Sequence, residues 1–374
     1  MKGVIPALET SPRAPPTSCI EPQRCARVVI SCAAIADNWR TIAKLAGRAQ
    51  AGAAIKADAY GHGLAPVAVA LARAGCRDFF VASLAEGQAT RAALGAEPRI
   101  WVLNGLEGQP AAMRAAGLQP VLNTLEDMAL WGGQGPWALH LDTGMNRLGL
   151  APTEWAEAAH MPWQHAPALV MSHLACADSG ASPMNARQLA QFAQGGALFP
   201  GAQFSLVASA GLGLGPDYHL DLVRPGLALF GHWGSDQPLP SLAPAMSASA
   251  PILQIRKVEA GQSVGYGASY VCKKPAILAT IGMGYADGFL RSMSNRGYGA
   301  LDGVICPIRG RVSMDLIILD VTAAGGRARV GAMVEILGPN LSAAELALLG
   351  GTIPYEILTS LGAAAASAQT RIIA

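Results

Sequence analysis

Eight short apolar runs alternate with Ala/Leu-rich stretches of helical length through the first two thirds of the chain, and this alternation limits the fold more than any other feature. The runs are Ala53–Ala57, Phe79–Ser83, Ile100–Leu103, Leu118–Leu122, Trp137–Leu141, Leu169–His173, Phe204–Val207 and Leu222–Phe230. Stretches such as Leu84–Leu94 and Asn185–Phe192 lie between them. Strands that alternate with helices pair in parallel, and eight such units close into a (β/α)8 TIM barrel. A chain of 374 residues has room for that α/β barrel and a smaller second domain.

The alternation ends near Met246. Ile252–Val258, Ala276–Gly282, Val304–Ile308, Leu316–Val321 and Met333–Leu337 read as strands separated by Gly, Pro or Asp turns. Residues 32–245 are therefore expected to form the barrel, and 246–374 a smaller, mainly β C-terminal domain. Val28–Ile30, inside the segment 25–31, has no place in the barrel count and is expected to pack with the C-terminal sheet. Ser31 then precedes Ile35, Trp39 and Ile42 at helical spacing. Residues 1–24 carry Pro6, Pro12, Pro15, Pro16 and Pro22 without an apolar period, the pattern of a disordered Pro-rich tail.

Charged residues make up only 14% of the chain against about 25% in an average soluble protein. Such a chain can bury a large core and has apolar surface to spare for an oligomer interface. A net charge of +2 with no basic run points away from nucleic acid and membrane surfaces as partners. The uncharged stretch Gln237–Ile255 is broken by Pro238, Pro240, Pro244 and Pro251, so it cannot be one spanning helix. The N-terminus lacks the basic start and apolar block of a secretory signal. Seven cysteines without a CxxC pair read as reduced thiols of a cytoplasmic protein, with no disulfide framework and no metal site.

Lys56 stands at the end of the first barrel run, within Ala-Ala-Ile-Lys-Ala-Asp-Ala-Tyr-Gly-His-Gly. Barrel enzymes place their chemistry at the C-terminal ends of strands. A lysine following Ala-Ala-Ile faces an apolar mouth, where its ammonium is costly and its pKa falls. A Schiff-base lysine needs this, because only the neutral amine attacks an aldehyde. Spacing alone favours a snorkelling or salt-bridged lysine over a Schiff-base one. His62 reads as a turn residue, and nothing beside Cys176 marks it as an activated thiol.

These eleven residues resemble the cofactor-lysine motif of the alanine racemases, a family of pyridoxal 5'-phosphate enzymes. Tyr60 stands where that family has a phosphate-binding tyrosine. Leu-Asp-Thr-Gly-Met-Asn-Arg-Leu-Gly, residues 141–149, is similar to the second motif, whose arginine (here Arg147) meets the cofactor oxygen and the substrate carboxylate. Met-Ser-His-Leu-Ala brings His173, and Val-Arg-Pro-Gly brings Arg224, the counterpart of the partner of the pyridine nitrogen. Ser209, Gly226 and Leu227 match phosphate ligands. In the C-terminal domain, Tyr266 in Val-Gly-Tyr-Gly-Ala-Ser-Tyr matches the second catalytic base. Tyr285, then Met314 beside Asp315, then Tyr355 in Ile-Pro-Tyr-Glu complete the series, which runs unbroken from about residue 27. Each residue alone also reads as core or ion-pair material.

The resemblance implies an alanine racemase with two bases, Lys56 and Tyr266, on opposite faces of the substrate. It also implies a head-to-tail homodimer in which Tyr266 is supplied by the partner. A free tyrosine is a poor base at neutral pH, and the resemblance links Tyr266 through His173 to Arg224, which would stabilise the phenolate. Arg224 has no proton to give at working pH, so the ring nitrogen stays unprotonated and the electron sink weaker. That favours quick reprotonation over transamination or decarboxylation. Met314 and Tyr355 are expected to crowd a methyl-sized substrate, with Tyr355 in the C-terminal sheet. A serine or broad-specificity racemase is the alternative. A non-catalytic cofactor carrier would lack the β domain and Tyr266. Two departures stand out: His140 replaces a lysine that is carboxylated in many members, and Ala208 replaces a common asparagine. The Ala363–Ala366 run also stands where a more basic stretch is usual.

Overall fold

Phe79, Phe80 and Val81 are all fully buried because a parallel strand is covered on both faces, by helices outside and by barrel filling inside. The computed structural model describes residues 26–367 and 371–374. Seven strands pair in parallel in chain order: Ala53–Ala54, Asp78–Val81, Arg99–Val102, Gln119–Leu122, Ala138–His140, Leu169–Met171 and Gln203–Ser205. Leu222–Val223 is the eighth. It pairs in parallel with Gln50–Ala51, the start of the first strand, across the interruption at Gly52. The Asp221 N–H donates to the Phe204 carbonyl and the Arg224 N–H to that of Val207, which closes the ring.

The barrel is filled, not hollow. Ala54, Phe80, Trp101, Val121, Ala138, Leu169, Met171 and Leu222 form one buried cluster, with small residues beside large ones as a tapered interior requires. At the N-terminal end, buried Asp78 pairs with Arg99 (2.7 Å) and accepts from Trp101 Nε1 (2.9 Å). The barrel bottom is thus a structural seal, and the chemistry is left to the opposite end.

The surrounding helices begin where the side chains allow. Ser31 caps Cys32–Ala46, Ser83 caps Leu84–Leu94, Thr124 caps Leu125–Trp131 and Ser182 caps Pro183–Gly196, each side-chain oxygen accepting a first-turn N–H. Such caps contribute about 1 kcal/mol each. Ile35, Trp39 and Ile42 are buried along one face of the first helix. Asn38 beside them donates to the carbonyls of Leu229 (3.0 Å) and Ala243 (2.8 Å), fixing that helix to the end of the barrel.

The 13-residue strand Met246–Val258 organises the second domain. Its first half pairs antiparallel with Arg27–Ile30 and Met333–Leu337, its second half with Ala276–Ile281. Ile317–Asp320 extends the sheet beyond Ala276–Ile281, and the hairpin Tyr298–Leu301 with Val304–Pro307 extends it beyond Met333–Leu337. Arg371–Ile373 adds in parallel to the outer side of Arg27–Ile30. Among the described residues no single helix is long and apolar enough to cross a membrane. None of their His, Cys, Asp and Glu groups is placed to hold a metal ion.

Two sequence expectations change. The run Leu222–Phe230 is a strand only at Leu222–Val223; Pro225 removes a donor, and Leu227–Phe230 turns into a 3-10 helix. The mainly β domain also carries two helices, Ala343–Gly350 and Pro354–Ser367, so Tyr355 sits in a helical first turn and not in the sheet. His62 is a turn residue as expected, and it is fully buried, stacked on Phe230 (ring centroids 4.1 Å). The expected disordered tail, 1–24, lies outside the described residues.

Candidate active site

Lys56 follows the first barrel strand directly, and the chain then does something rare. Ala57, Asp58, Ala59 and Tyr60 all have φ between 51° and 55°, a left-handed helical turn built without glycine. Each such residue costs about 1–2 kcal/mol, so the surroundings must hold the turn in place. Glu86 does part of this, its two carboxylate oxygens accepting from the N–H groups of Ala57 (2.6 Å) and Ala82 (2.8 Å). Gly61, at φ 81°, ends the turn. It lies against Gly362 of the helix Pro354–Ser367 so closely that a Cβ on Gly362 would overlap the Gly61 carbonyl.

The turn aims Lys56 and Tyr60 into a cavity of about 470 Å³ at the C-terminal mouth of the barrel. Arg147, His140, His173, Ser209, Arg224, Gly226, Leu227 and Tyr355 also line it, and among the described residues no carboxylate does. Burial, then the Arg147 guanidinium, hold the Lys56 ammonium below the usual lysine range, opposed in part by Glu86. Burial holds the phenols of Tyr60 and Tyr355 above their usual range, so both remain donors.

At one end of the cavity the donors converge. Ser209 Oγ accepts from the N–H groups of Gly226 (2.9 Å) and Ala228 (3.0 Å), which leaves its own proton to be given away. The Tyr60 hydroxyl lies over Gly226, where any Cβ would overlap it. Only glycine at 226 keeps this cradle open.

Arg224 is buried on the barrel wall. It donates to Ser205 Oγ (2.5 Å) and to the carbonyls of Ser172 (2.6 Å) and Leu206 (3.3 Å), and its Nη2 lies 3.4 Å from His173 Nδ1. No carboxylate pairs with it among the described residues. Burial lowers its pKa to about 9, so the guanidinium stays charged at neutral pH. His173 is pushed down to about 3 by burial and then by Arg224, and is a neutral imidazole. His140 is likewise pushed down to about 4 by burial and then by Arg224. His140 Nδ1 donates to Asn123 Oδ1 (2.9 Å), because the Asn123 amide nitrogen is already given to the carbonyls of Leu103 and Val121. The cavity therefore sees the unprotonated Nε2.

Tyr266, Tyr285, Met314 and Asp315 are elsewhere. Tyr266 follows Ser263–Val264 in the C-terminal domain and is 71% exposed; Met314 is 59% exposed. The loops of Tyr285 and Met314 are tied by the hydrogen bonds of Tyr285 N to Ser313 O (3.0 Å) and Ala286 N to Met314 O (2.8 Å). Residues 310 and 311 of the same loop lie beneath Gly265. None of these side chains lines the cavity of its own chain.

Sequence reasoning missed Glu86, Asn123 and the Ser172–Ser205–Leu206 shell around Arg224. The spelling Ser83-Leu-Ala-Glu86 looks like a capping box, which accounts for Glu86 without the turn it supports. Asn123 carries no signal until its strand end is placed beside His140.

A lysine whose ammonium is held below its usual range, a cradle of donors and a guanidinium with no carboxylate partner among the described residues, all at one barrel mouth, fit pyridoxal phosphate, and they define a barrel enzyme of the class that uses it. Residues 30–233 match the alanine racemase N-terminal domain and residues 245–368 the C-terminal domain. The chain belongs to the alanine racemase family. It is 44% identical over 358 residues to the biosynthetic alanine racemase of Agrobacterium fabrum, covering 90% of this chain and 91% of that one. It is 45% identical over 348 residues to an alanine racemase of Methylobacterium nodulans, covering 90% and 94%. The alanine racemase of Bartonella henselae, solved with covalently bound pyridoxal phosphate, superposes with a TM-score of 0.88 at 35% identity, over 94% of this chain and 99% of that one.

Proposed function

We propose that the chain is a pyridoxal-phosphate-dependent isomerase that interconverts L- and D-alanine, working in the cytoplasm as a head-to-tail homodimer. Lys56 serves one face of the substrate and Tyr266 of the partner subunit the other. Residues 32–245 bind the cofactor, and 246–374 carry Tyr266 to the neighbouring site. The observation that supports this best is the barrel-mouth cavity, which sets Lys56 beside the guanidinium groups of Arg147 and Arg224 with no carboxylate among the described lining residues.

When bound, the cofactor supplies the electron sink that makes the substrate Cα–H acidic. Tyr60, Ser209, Tyr355 and the backbone of Gly226 and Leu227 would hold its phosphate, and Lys56 Nζ its aldehyde carbon. Arg224 would face the ring nitrogen with a group that gives up no proton. Arg147 orients the substrate carboxylate, and the lone pair of His140 Nε2 leaves that guanidinium an acceptor on the cavity wall. Lys56 Nζ, below its usual range, takes or returns the proton on its face. A phenol arriving from the partner meets the Nε2–H of His173, the donor that a phenolate needs. Tyr285 and Asp315 support the loops that carry Tyr266 and Met314.

Two measurements test this reading. The protein with pyridoxal phosphate should carry the circular dichroism of L-alanine to zero, and an unchanging signal overturns the activity. Borohydride reduction followed by peptide mapping should place the cofactor on Lys56, and an adduct on another lysine overturns the site.

A further inference from the structure

We propose that the C-terminal strand Arg371–Ile373 is a clasp on the cofactor turn, and that Arg371 is a positioning residue for cofactor binding. The proposal rests on the reading that Lys56 and Tyr60 hold the cofactor. Four consecutive non-glycine residues in the left-handed region do not persist on local preference. Glu86 holds the start of the turn at Ala57, and its middle and end need another support.

That support comes from 313 residues away in sequence. Arg371 Nη1 pairs with Asp58 Oδ2 (2.5 Å) and also donates to the Gly61 carbonyl (3.0 Å), so one nitrogen bridges two points of the turn. The other oxygen of Asp58 accepts from Leu64 N (2.7 Å), the first residue of the following helix. Asp58 thus joins the turn, the helix and the chain end. A Cβ on Gly63 would come within 3.3 Å of the Arg371 guanidinium, so the clasp is closely packed.

The clasp is anchored on a rigid sheet. Val28, Val29 and Ile30 pair with Arg371, Ile372 and Ile373, and the same strand is held on its other side by Met246–Ser249. The end residue Ala374 donates to the Ile30 carbonyl (2.7 Å) and accepts from Cys32 N (2.9 Å). The preceding helix lays Gly362 on Gly61 and Tyr355 beside Tyr60 (ring centroids 5.9 Å). The chain end therefore supports the turn from two directions. Without Arg371 the turn can relax toward ordinary backbone angles, which carries Tyr60 off the Gly226 cradle while the barrel itself keeps its contacts.

The test uses the full-length protein and the variants Arg371→Gln, Arg371→Lys, Asp58→Asn and Arg371→Gln with Asp58→Asn. Asp58→Asn keeps an oxygen for Leu64 N and replaces the oxygen that faces Arg371 with an NH2, so the charge and that acceptor are both removed. The Kd for pyridoxal phosphate and the rate of cofactor loss are measured beside the melting temperature of the cofactor-free protein. Arg371→Gln and Asp58→Asn should each weaken cofactor binding about tenfold, the scale of one lost charge-assisted hydrogen bond. The double variant should be no worse than either single one, and Arg371→Lys should recover part of the loss. An unchanged Kd in Arg371→Gln overturns the clasp, as does a lower melting temperature with an unchanged Kd or fully additive losses. Peptide mapping of the reduced wild-type protein separates the two ideas. An adduct away from Lys56 overturns the underlying site, whereas an adduct on Lys56 with an unchanged Kd in Arg371→Gln overturns the clasp alone.

Discussion

Nη2 of Arg224 lies 3.4 Å from Nδ1 of His173, and this contact fixes where the imidazole proton sits. A guanidinium only donates, so Nδ1 accepts and the proton is on Nε2. Burial and the cation together keep that ring neutral. A neutral imidazole with Nε2–H is a donor at the cavity.

In the proposed dimer its acceptor is the phenol oxygen of Tyr266 of the partner subunit. Tyr266→Phe should leave pyridoxal phosphate bound and lower turnover at least about 100-fold, the usual loss for a general base. Measuring kcat in both directions with the absorbance of the bound cofactor checks this. Unchanged turnover from both enantiomers rules Tyr266 out as a base.

Selectivity should follow Tyr355. Its ring lies 5.9 Å from that of Tyr60 at the cavity wall, on the first turn of a helix. Overfilling a tight site costs about 1–3 kcal/mol, so alanine should be preferred, serine accepted poorly and lysine rejected. Tyr355→Ala should raise serine turnover relative to alanine. If all substrates fall together and cofactor binding weakens, Tyr355 acts as a cofactor ligand only.

The packing of Gly362 on Gly61 predicts a stability effect with no chemical group removed. Gly362→Ala normally favours a helix, yet here the methyl meets backbone. We expect a loss of about 1–3 kcal/mol in unfolding free energy. An equal or higher stability in denaturant would show that the helix shifts freely.

Acid stability should follow three buried histidines. Burial holds His62 and His140 near pKa 4 and His173 near 3, against 6.5 for the ordinary side chain. Below pH 6.5 the unfolded chain therefore binds more protons than the folded one, and stability falls. The contribution is complete above that value and is lost progressively as pH drops toward 4. Melting temperature should decline through this window, and His62→Gln should flatten the decline by about one proton. An identical slope in the variant contradicts the assignment to His62.

The barrel was legible because its strands are short apolar runs alternating with helical stretches, some of them opened by a capping residue, as at Phe79–Val81 with Ser83. The cavity residues were legible as an ordered series of motifs, from Lys56 to Tyr355. What the sequence hid is conformational or long-range. Ala-Asp-Ala-Tyr contains no glycine, so nothing in it announces four left-handed residues. Asp58 and Arg371 meet only because Arg27–Ile30 carries the chain end across the sheet. The helical setting of Tyr355 was hidden because the surrounding runs read as strands and a proline stands directly before it. Pro354 in fact occupies the first helical position, where its missing N–H does no harm.

In the proposed enzyme Lys56 and Tyr266 act on one substrate from two subunits. Inactive Lys56→Ala and inactive Tyr266→Phe proteins, mixed under conditions where subunits exchange, test it directly. A head-to-tail dimer of one chain of each kind has one site with both bases and one with neither, so random exchange should restore about a quarter of wild-type activity. No recovery, with exchange demonstrated by a tagged subunit, would mean that the two bases belong to the same chain and that the shared site is wrong.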